Sequence, residues 1–263
     1  MTGVYGHQTR PHNLRHMSID IEKNIEFLFR NMEDEIKERS RKRAEIWALK
    51  SFRDRSCFGM EENMKFDINN LKWTRKPADY TVADDKIEIT TNPHTDLWQR
   101  TYYHFRNDNA PVLQMETDEK FFSFIVKTEF ESKHRFDQCG IVMYLDSENW
   151  LKGSIEYENE KFQHLGSVVT NNGYSDWATT EINASVKSMW YRFSRREDDY
   201  CIECSEDGVT FKQMRVCHMW KGGGMIRFGI YACSPEESSF KATFTNMEIT
   251  ECKWPAHNGQ QPD

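Results

Sequence analysis

The sequence predicts an all-β fold, a sandwich or barrel of antiparallel strands, preceded by an N-terminal α-helical extension. Three observations carry this. From about Lys65 onward, short apolar–polar alternations follow one another, separated by Asp, Asn, Gly, Pro and Ser; half-buried strands and their turns read this way. Two of the separators, Asn171-Asn172-Gly173 and Glu206-Asp207-Gly208, are hairpin signals, because Asn, Asp and Gly tolerate the positive φ of tight β-turns. Helical periodicity, in contrast, is confined to a single stretch near the N-terminus.

Residues 1–17 are polar and without periodicity and are expected to form a disordered tail. Ser18 to Phe52 contain no Gly or Pro, and Ile21, Ile25, Leu28, Phe29, Met32 and Ile36 recur at steps of three and four, the stripe of an amphipathic helix. Ser18 or Asp20 can cap its start. The basic cluster Lys37, Arg39, Arg41, Lys42 and Arg43 is interleaved with Glu33, Asp34, Glu35, Glu38 and Glu45, so it reads as a solvated face whose charges cancel, not as a nucleic-acid or membrane contact. The apolar stripe over 18–52 offers a surface for a protein partner or for self-association. Residues 57–64 read as a linker, which makes 18–63 the extension, 64–254 the β domain and 255–263 a tail.

The expected strands are, in order, Leu71–Arg75, Lys86–Thr90, Trp98–Tyr103, Val112–Glu116, Phe121–Phe130, Gly140–Leu145, Trp150–Tyr157, Phe162–Val169, Trp177–Ile182, Trp190–Arg195, Tyr200–Ser205, Thr210–Arg215, Met225–Cys233 and Phe240–Thr250. Charged strands such as Lys86–Thr90 suit a sheet edge. Many short strands with little helix imply two packed layers.

A chain of 263 residues can bury a substantial core. An aromatic fraction of 13% argues against wholesale disorder, and a net charge of −7 argues against a nucleic-acid surface. No apolar run approaches a membrane span, and the N-terminus has no apolar signal core. Seven scattered cysteines show no disulfide framework. These features lead to an expected cytoplasmic location.

The segment from Ile141 to Thr180 is the most informative. Trp150, Lys152, Ser154 and Glu156 stand at every second position, and alternate side chains of a strand share one face. Leu151, Ile155 and Tyr157 turn to the other. An aromatic ring, a cation, a hydroxyl and a carboxylate therefore line one surface.

Four segments resemble a known family. They are Thr95–Tyr102 with Asn107–Pro111, Trp150–Glu156, Gly173–Trp177 and Arg227–Pro235. The family is the domain of unknown function known as "regulation of enolase", within the concanavalin A-like lectin/glucanase superfamily, and the resemblance covers roughly residues 65–252. It implies a jelly-roll β-sandwich of two curved antiparallel sheets whose concave face commonly holds sugars. It implies no established activity.

The expected ligand is a carbohydrate or small polar metabolite. Sugars are bound by aromatic planes against their C–H faces and polar groups against their hydroxyls. Trp98, Trp150 and Trp177 are the candidate stacking platforms. Arg100, Lys152, Glu156, Asp176 and Arg192 are the candidate polar contacts, with Tyr102 and His164 beside them. Trp98, Arg100 and Tyr102 are expected to share a strand face. The alternative for each tryptophan is packing, and for Lys152–Glu156 a cross-face ion pair.

An enzyme acting on a glycoside would use Glu156 and Asp176 as acid and base. Glycoside cleavage needs two carboxyls about 5–10 Å apart. The alternating Glu156, Glu158 and Glu160 resemble the acidic strand of the related β-glucanases, but the middle residue is Glu where that motif has Asp, and Glu158 and Glu160 fall in a turn. A third reading is a regulator that touches a metabolic enzyme. No metal or cofactor is expected: Cys201 and Cys204 stand three apart in a strand pattern and point to opposite faces. Gly222-Gly223-Gly224 lacks the Lys-Ser/Thr of a phosphate loop.

Overall fold

In the computed structural model the chain divides into two units, Met1–Glu61 and Glu62–Asp263. The structure describes residue 64 and residues 66–255 of the second, with Glu38 and Lys42 of the first. The expected tail over 1–17, the helical extension and linker over 18–63 and the last residues of the C-terminal tail lie outside the described residues, those few positions apart.

The second unit is a β-sandwich of two seven-stranded antiparallel sheets. The first sheet runs in the order β1 (Lys72–Arg75), β6 (Val112–Thr117), β15 (Ile226–Cys233), β8 (Gln138–Asp146), β9 (Asn149–Tyr157), β10 (Phe162–Asn171) and β11 (Tyr174–Asn183). The second runs β14 (Lys212–His218), β13 (Asp199–Ser205), β12 (Ser188–Arg196), β7 (Phe121–Phe130), β16 (Lys241–Glu251), β3 (Lys86–Thr90) and β2 (Asp79–Ala83). A small hairpin of β4 (Leu97–Gln99) and β5 (Arg106–Asp108) stands apart from both.

Strand parity decides what is buried. Cys139, Ile141 and Met143 of β8, Leu151 and Ile155 of β9, and Phe228 and Ile230 of β15 face the second sheet. Phe122, Phe124, Tyr191, Phe193, Ile202 and Phe244 meet them from that sheet. Tilted and stacked contacts link Phe122, Phe193 and Phe228. A second apolar layer lies on the other face of the first sheet, where Leu97, Trp98, Val142, Tyr144, Trp150 and Tyr231 pack together. The first sheet is therefore covered on both faces, with β4–β5 forming part of the outer cover.

The turns behave as their residues require. Asn172 and Gly173 both have positive φ, 50° and 77°, which is the two-residue turn that joins β10 to β11. Gly208 has φ 74°, and the Asp207 carboxylate ahead of it accepts from the N–H groups of Val209 and Thr210.

Three expectations are corrected. The strand expected over Trp98–Tyr103 stops at Gln99; Arg100, Tyr102 and His104 take positive φ of 57°, 63° and 62°, so the chain turns back and Trp98, Arg100 and Tyr102 do not share a face. Lys86–Thr90 is not an edge: β3 pairs with β16 on one side and β2 on the other, and Ile87 and Ile89 are fully buried. The edge is the unanticipated β2, exposed along most of its length.

Arg195 pins the end of the second sheet to its loops. Its side chain is fully buried and donates to the carbonyls of Glu197, Glu119, Gly222 and Gly224 at 2.7–2.9 Å. A buried guanidinium is tolerated only when its donors are satisfied. Arg195→Ala leaves several carbonyls without that donor. We expect it to lower stability by about 3 kcal/mol, read as a drop in the urea midpoint at unchanged slope; a midpoint equal to wild type would refute the pinning role.

Candidate functional site

Register builds the site. On the outer face of the first sheet, Gln138 of β8, Glu156 of β9 and His164 of β10 lie side by side. Two residues along, Gly140, Ser154 and Gly166 form a row of small side chains. Two further along, Val142, Lys152, Val168 and Trp177 form the next row. A β-carbon on Gly166 would lie 3.0 Å from the Ala178 carbonyl oxygen and 3.3 Å from the Trp177 indole nitrogen, so a side chain there would crowd both.

Over these rows comes the segment before β4. Thr95 N–H donates to the Ser234 carbonyl and Thr95 Oγ1 accepts from Ser234 N–H, at 3.0 and 3.1 Å, which ties the segment to the end of β15. Asp96 follows, fixed by its Oδ1 accepting from Leu97 N–H at 2.7 Å and its own N–H donating to Asn109 at 2.8 Å. Gln99 N–H donates to Ser175 Oγ on β11 at 2.9 Å, anchoring the hairpin at its other end.

The result is a cavity of about 380 Å³, within the ordinary range for small-molecule sites. It is lined by Trp98, Tyr103, Phe105 and Trp177, by Asp96, Lys152, Glu156 and Glu236, and by Asn107, Arg135, Phe136 and Gln138, with Val168 and Pro235. Trp98 meets Trp177 and Tyr103 edge-on, with centroids 6.3 and 5.6 Å apart.

A hydrogen-bonded relay runs along its wall. Lys152 is only 3% exposed. It donates to Gln138 Oε1 at 2.9 Å, stands 3.5 Å from Asp96 Oδ1, and lies over the Trp150 and Tyr231 rings. Tyr231 O–H donates to the same Gln138 oxygen at 2.9 Å. With that oxygen fully used, the Gln138 amide nitrogen turns the other way and donates to Glu156 Oε2 at 3.0 Å. Burial pushes the Glu156 carboxyl up to about 7, opposed by the Lys152 charge and reinforced by Asp96 and Glu158. A carboxyl in that range can exchange a proton near neutrality.

The structure brings Trp98, Lys152, Glu156 and Trp177 together in this cavity. It places the other sequence-predicted residues elsewhere. Trp150 is fully buried and packs with Leu97, Trp98 and Tyr144 instead of presenting a ring to a ligand. His164 sits between Phe162 and Trp177, beside the cavity. Arg100 pairs with Glu148 at 2.7 Å and lies over the Tyr174 ring, held at the β10–β11 turn. Tyr102 is 81% exposed and borders a second, more open cleft that shares Trp98, Tyr103 and Trp177 and adds Ser175 and Asp176. Arg192 belongs to the second sheet, where it grips Glu203 at 2.6 and 2.7 Å on the outward face.

Glu156 and Asp176 do not form an acid/base pair. In register Glu156 lies opposite His164 and hence Glu181, five residues along β11 from Asp176, a separation of about 17 Å at roughly 3.4 Å per residue. That exceeds the span of glycosidase carboxyls. Asp176 also points to the opposite face from Trp177, bridging to Arg215 of the second sheet at 2.7 Å.

Sequence reasoning missed Gln138, Asp96, Arg135, Glu236 and the aromatic pair Tyr103 and Phe105. Gln138 stands just before the expected start of its strand, and only the β8–β9 register reveals it as the partner of Glu156. Asp198, Asp199 and His218 form a separate exposed cluster with His218 Nδ1 2.8 Å from Asp199; nothing else in the described residues marks it as a metal site. No helix among the described residues is long and apolar enough to cross a membrane.

Comparison with known proteins follows this architecture. A family model described as "Protein of unknown function (DUF1349)" matches residues 73–252. "Regulation of enolase protein 1" from Saccharomyces cerevisiae is 30% identical over 192 residues, 73% of this chain and 94% of its own length. A solved structure of a functionally unknown protein from Saccharomyces cerevisiae superposes with a TM-score of 0.66 at 28% identity, over 71% of this chain and 98% of that one. The GH43 BlXynB protein from Bacillus licheniformis superposes with a TM-score of 0.57 at 16% identity, over 75% of this chain and 40% of that one. The last is a likeness of fold alone.

The Glu156 carboxyl gives a pH signature. Its folded-state pKa is raised above its ordinary value of 4.5 to about 7. The folded state therefore holds the proton more tightly than the unfolded state, and stability falls as pH rises through that window. Glu156→Gln removes the titration. We expect it to flatten the stability–pH slope between pH 5 and 7 by up to about 1.4 kcal/mol per pH unit, measured by urea unfolding across pH. An unchanged slope would show that Glu156 titrates normally.

Proposed function

The chain belongs to the DUF1349 family of proteins of unknown function, and from that premise we propose that it binds a carbohydrate or sugar-derived metabolite in the cavity on the outer face of the first sheet. The observation that carries this is the conjunction of an aromatic wall, Trp98, Tyr103, Phe105 and Trp177, with a fixed set of planar polar groups, Gln138, Glu156, Asp96 and Asn107, around one space. Aromatic faces match the C–H faces of a pyranose, and carboxylates and amides match its hydroxyls. The relay fixes the direction of Gln138, Glu156 and Asp96 before a ligand arrives, and preorganisation is what makes polar contacts productive.

The name of the yeast relative, "Regulation of enolase protein 1", supports placing this binding in the control of carbohydrate metabolism, with the sandwich as a metabolite-responsive regulator. The six described cysteines are free thiols, which suits a reducing compartment such as the cytoplasm. The apolar stripe of residues 18–52 supports contact with a protein partner or a second copy. The hydrolytic pair Glu156 and Asp176 is not retained, because the register places Asp176 five residues along β11 from the residue in line with Glu156.

Calorimetric titration of the full chain with a panel of neutral, acidic, amino and phosphorylated sugars tests the proposal. At least one class should bind, and Trp98→Ala should weaken it about tenfold or more, a loss of about 1.4 kcal/mol. Absence of heat from every class, in protein shown by circular dichroism to be folded, would overturn it.

A further inference from the structure

We infer that the ligand of this cavity carries a protonated amine, which makes an amino sugar its chemical class. The inference rests on the carbohydrate reading above and narrows it by charge.

The charges around the cavity do not cancel. Lys152 is answered by Asp96 at 3.5 Å, and Arg135 by Glu158 at 2.9 Å. Glu156 and Glu236 are left over. Among the described residues, Glu156 accepts only from the neutral Gln138 amide, and Glu236, exposed at the rim of the same space, makes no side-chain hydrogen bond or ion pair. The groups that face Glu156 are Lys152 on its own strand, Gln138 on β8, His164 on β10, Asp96 on the covering segment and the Arg135–Glu158 pair. The one buried cation in that set is already committed to Asp96 and Gln138. Burial pushing the Glu156 carboxyl upward fits a carboxylate that lacks a counter-ion in the free protein.

The aromatic wall points the same way. Tyr103, Phe105 and Trp177 are 52%, 45% and 38% exposed, and Phe105 stacks on Tyr103 with centroids 5.7 Å apart. Ring faces carry negative electrostatic potential and attract ammonium groups. An anionic sugar would meet two unanswered carboxylates and these π faces. A neutral sugar would leave Glu156 with its proton and Glu236 to solvent, and would gain no charge attraction from either. An ammonium group satisfies both, and its N–H groups add charge-assisted hydrogen bonds to Glu156 or Glu236.

The test is calorimetric titration of the full chain with D-glucosamine, D-glucose, N-acetyl-D-glucosamine, D-glucose 6-phosphate and tetramethylammonium. Glucosamine is expected to bind about tenfold tighter than glucose, the phosphate most weakly, and the acetylated sugar no better than glucose. Glu156→Gln and Glu236→Gln, each checked for folding by thermal melting, should narrow the preference for glucosamine over glucose by threefold or more. Glucosamine and glucose binding equally, or the phosphate binding best, would overturn the charge inference and leave the carbohydrate reading standing. Tetramethylammonium binding without any sugar would overturn the carbohydrate reading and leave a cation site. Silence from all five would overturn both.

Discussion

The buried ammonium of Lys152 organises the outer face of the first sheet. A charge removed from water must be paired and hydrogen-bonded or it destabilises the fold by several kcal/mol. Its own sheet supplies only part of what is needed: Gln138 from the adjacent strand accepts one bond, and the Trp150 and Tyr231 rings provide cation–π contact. The counter-charge, Asp96, comes from a segment 56 residues earlier in the chain. Satisfying Lys152 therefore requires that segment to lie over the sheet. Once it does, β4 and β5 continue across the face and bring Trp98, Tyr103 and Phe105 with them. The cavity is the space left between this cover and the sheet.

The same charge sets the orientation of Gln138. Its oxygen is claimed by Lys152 and Tyr231, so its amide nitrogen faces Glu156. A single amide thus converts a cation on one row of the sheet into a fixed donor on another. Such a network rigidifies when every member is satisfied. In this network Glu156 still has acceptor capacity directed at the cavity, which is where binding chemistry resides.

Much of the architecture was legible before the structure. The Asn172-Gly173 turn followed from residue chemistry alone, and the alternation of Trp150, Lys152 and Glu156 against Leu151 and Ile155 predicted correctly which side chains share a face. Other readings failed where a local pattern was ambiguous. Trp98 to Tyr103 reads like a strand, but Arg100, Tyr102 and His104 adopt left-handed backbone conformations that the packed hairpin enforces. Asp79–Ala83 alternates only briefly, Tyr80 and Val82 against Asp79 and Thr81, and four of its five residues are exposed, so its pairing with β3 left little signal to read.

The sequence by itself determined parity: a pleated backbone sends neighbouring side chains to opposite sides whatever surrounds it, so Lys152 and Glu156 had to share a surface. Tertiary structure alone decided what that surface faces. Arg192 and Asp176 also alternate with apolar neighbours, yet one pairs with Glu203 on the second sheet and the other with Arg215 across the sandwich edge. Strand order and register are set by burial summed over residues far apart in the chain, and no local spacing records that sum. Gln138, Asp96 and Glu236 therefore became visible as one site only when β8, β9 and the segment before β4 were placed against each other.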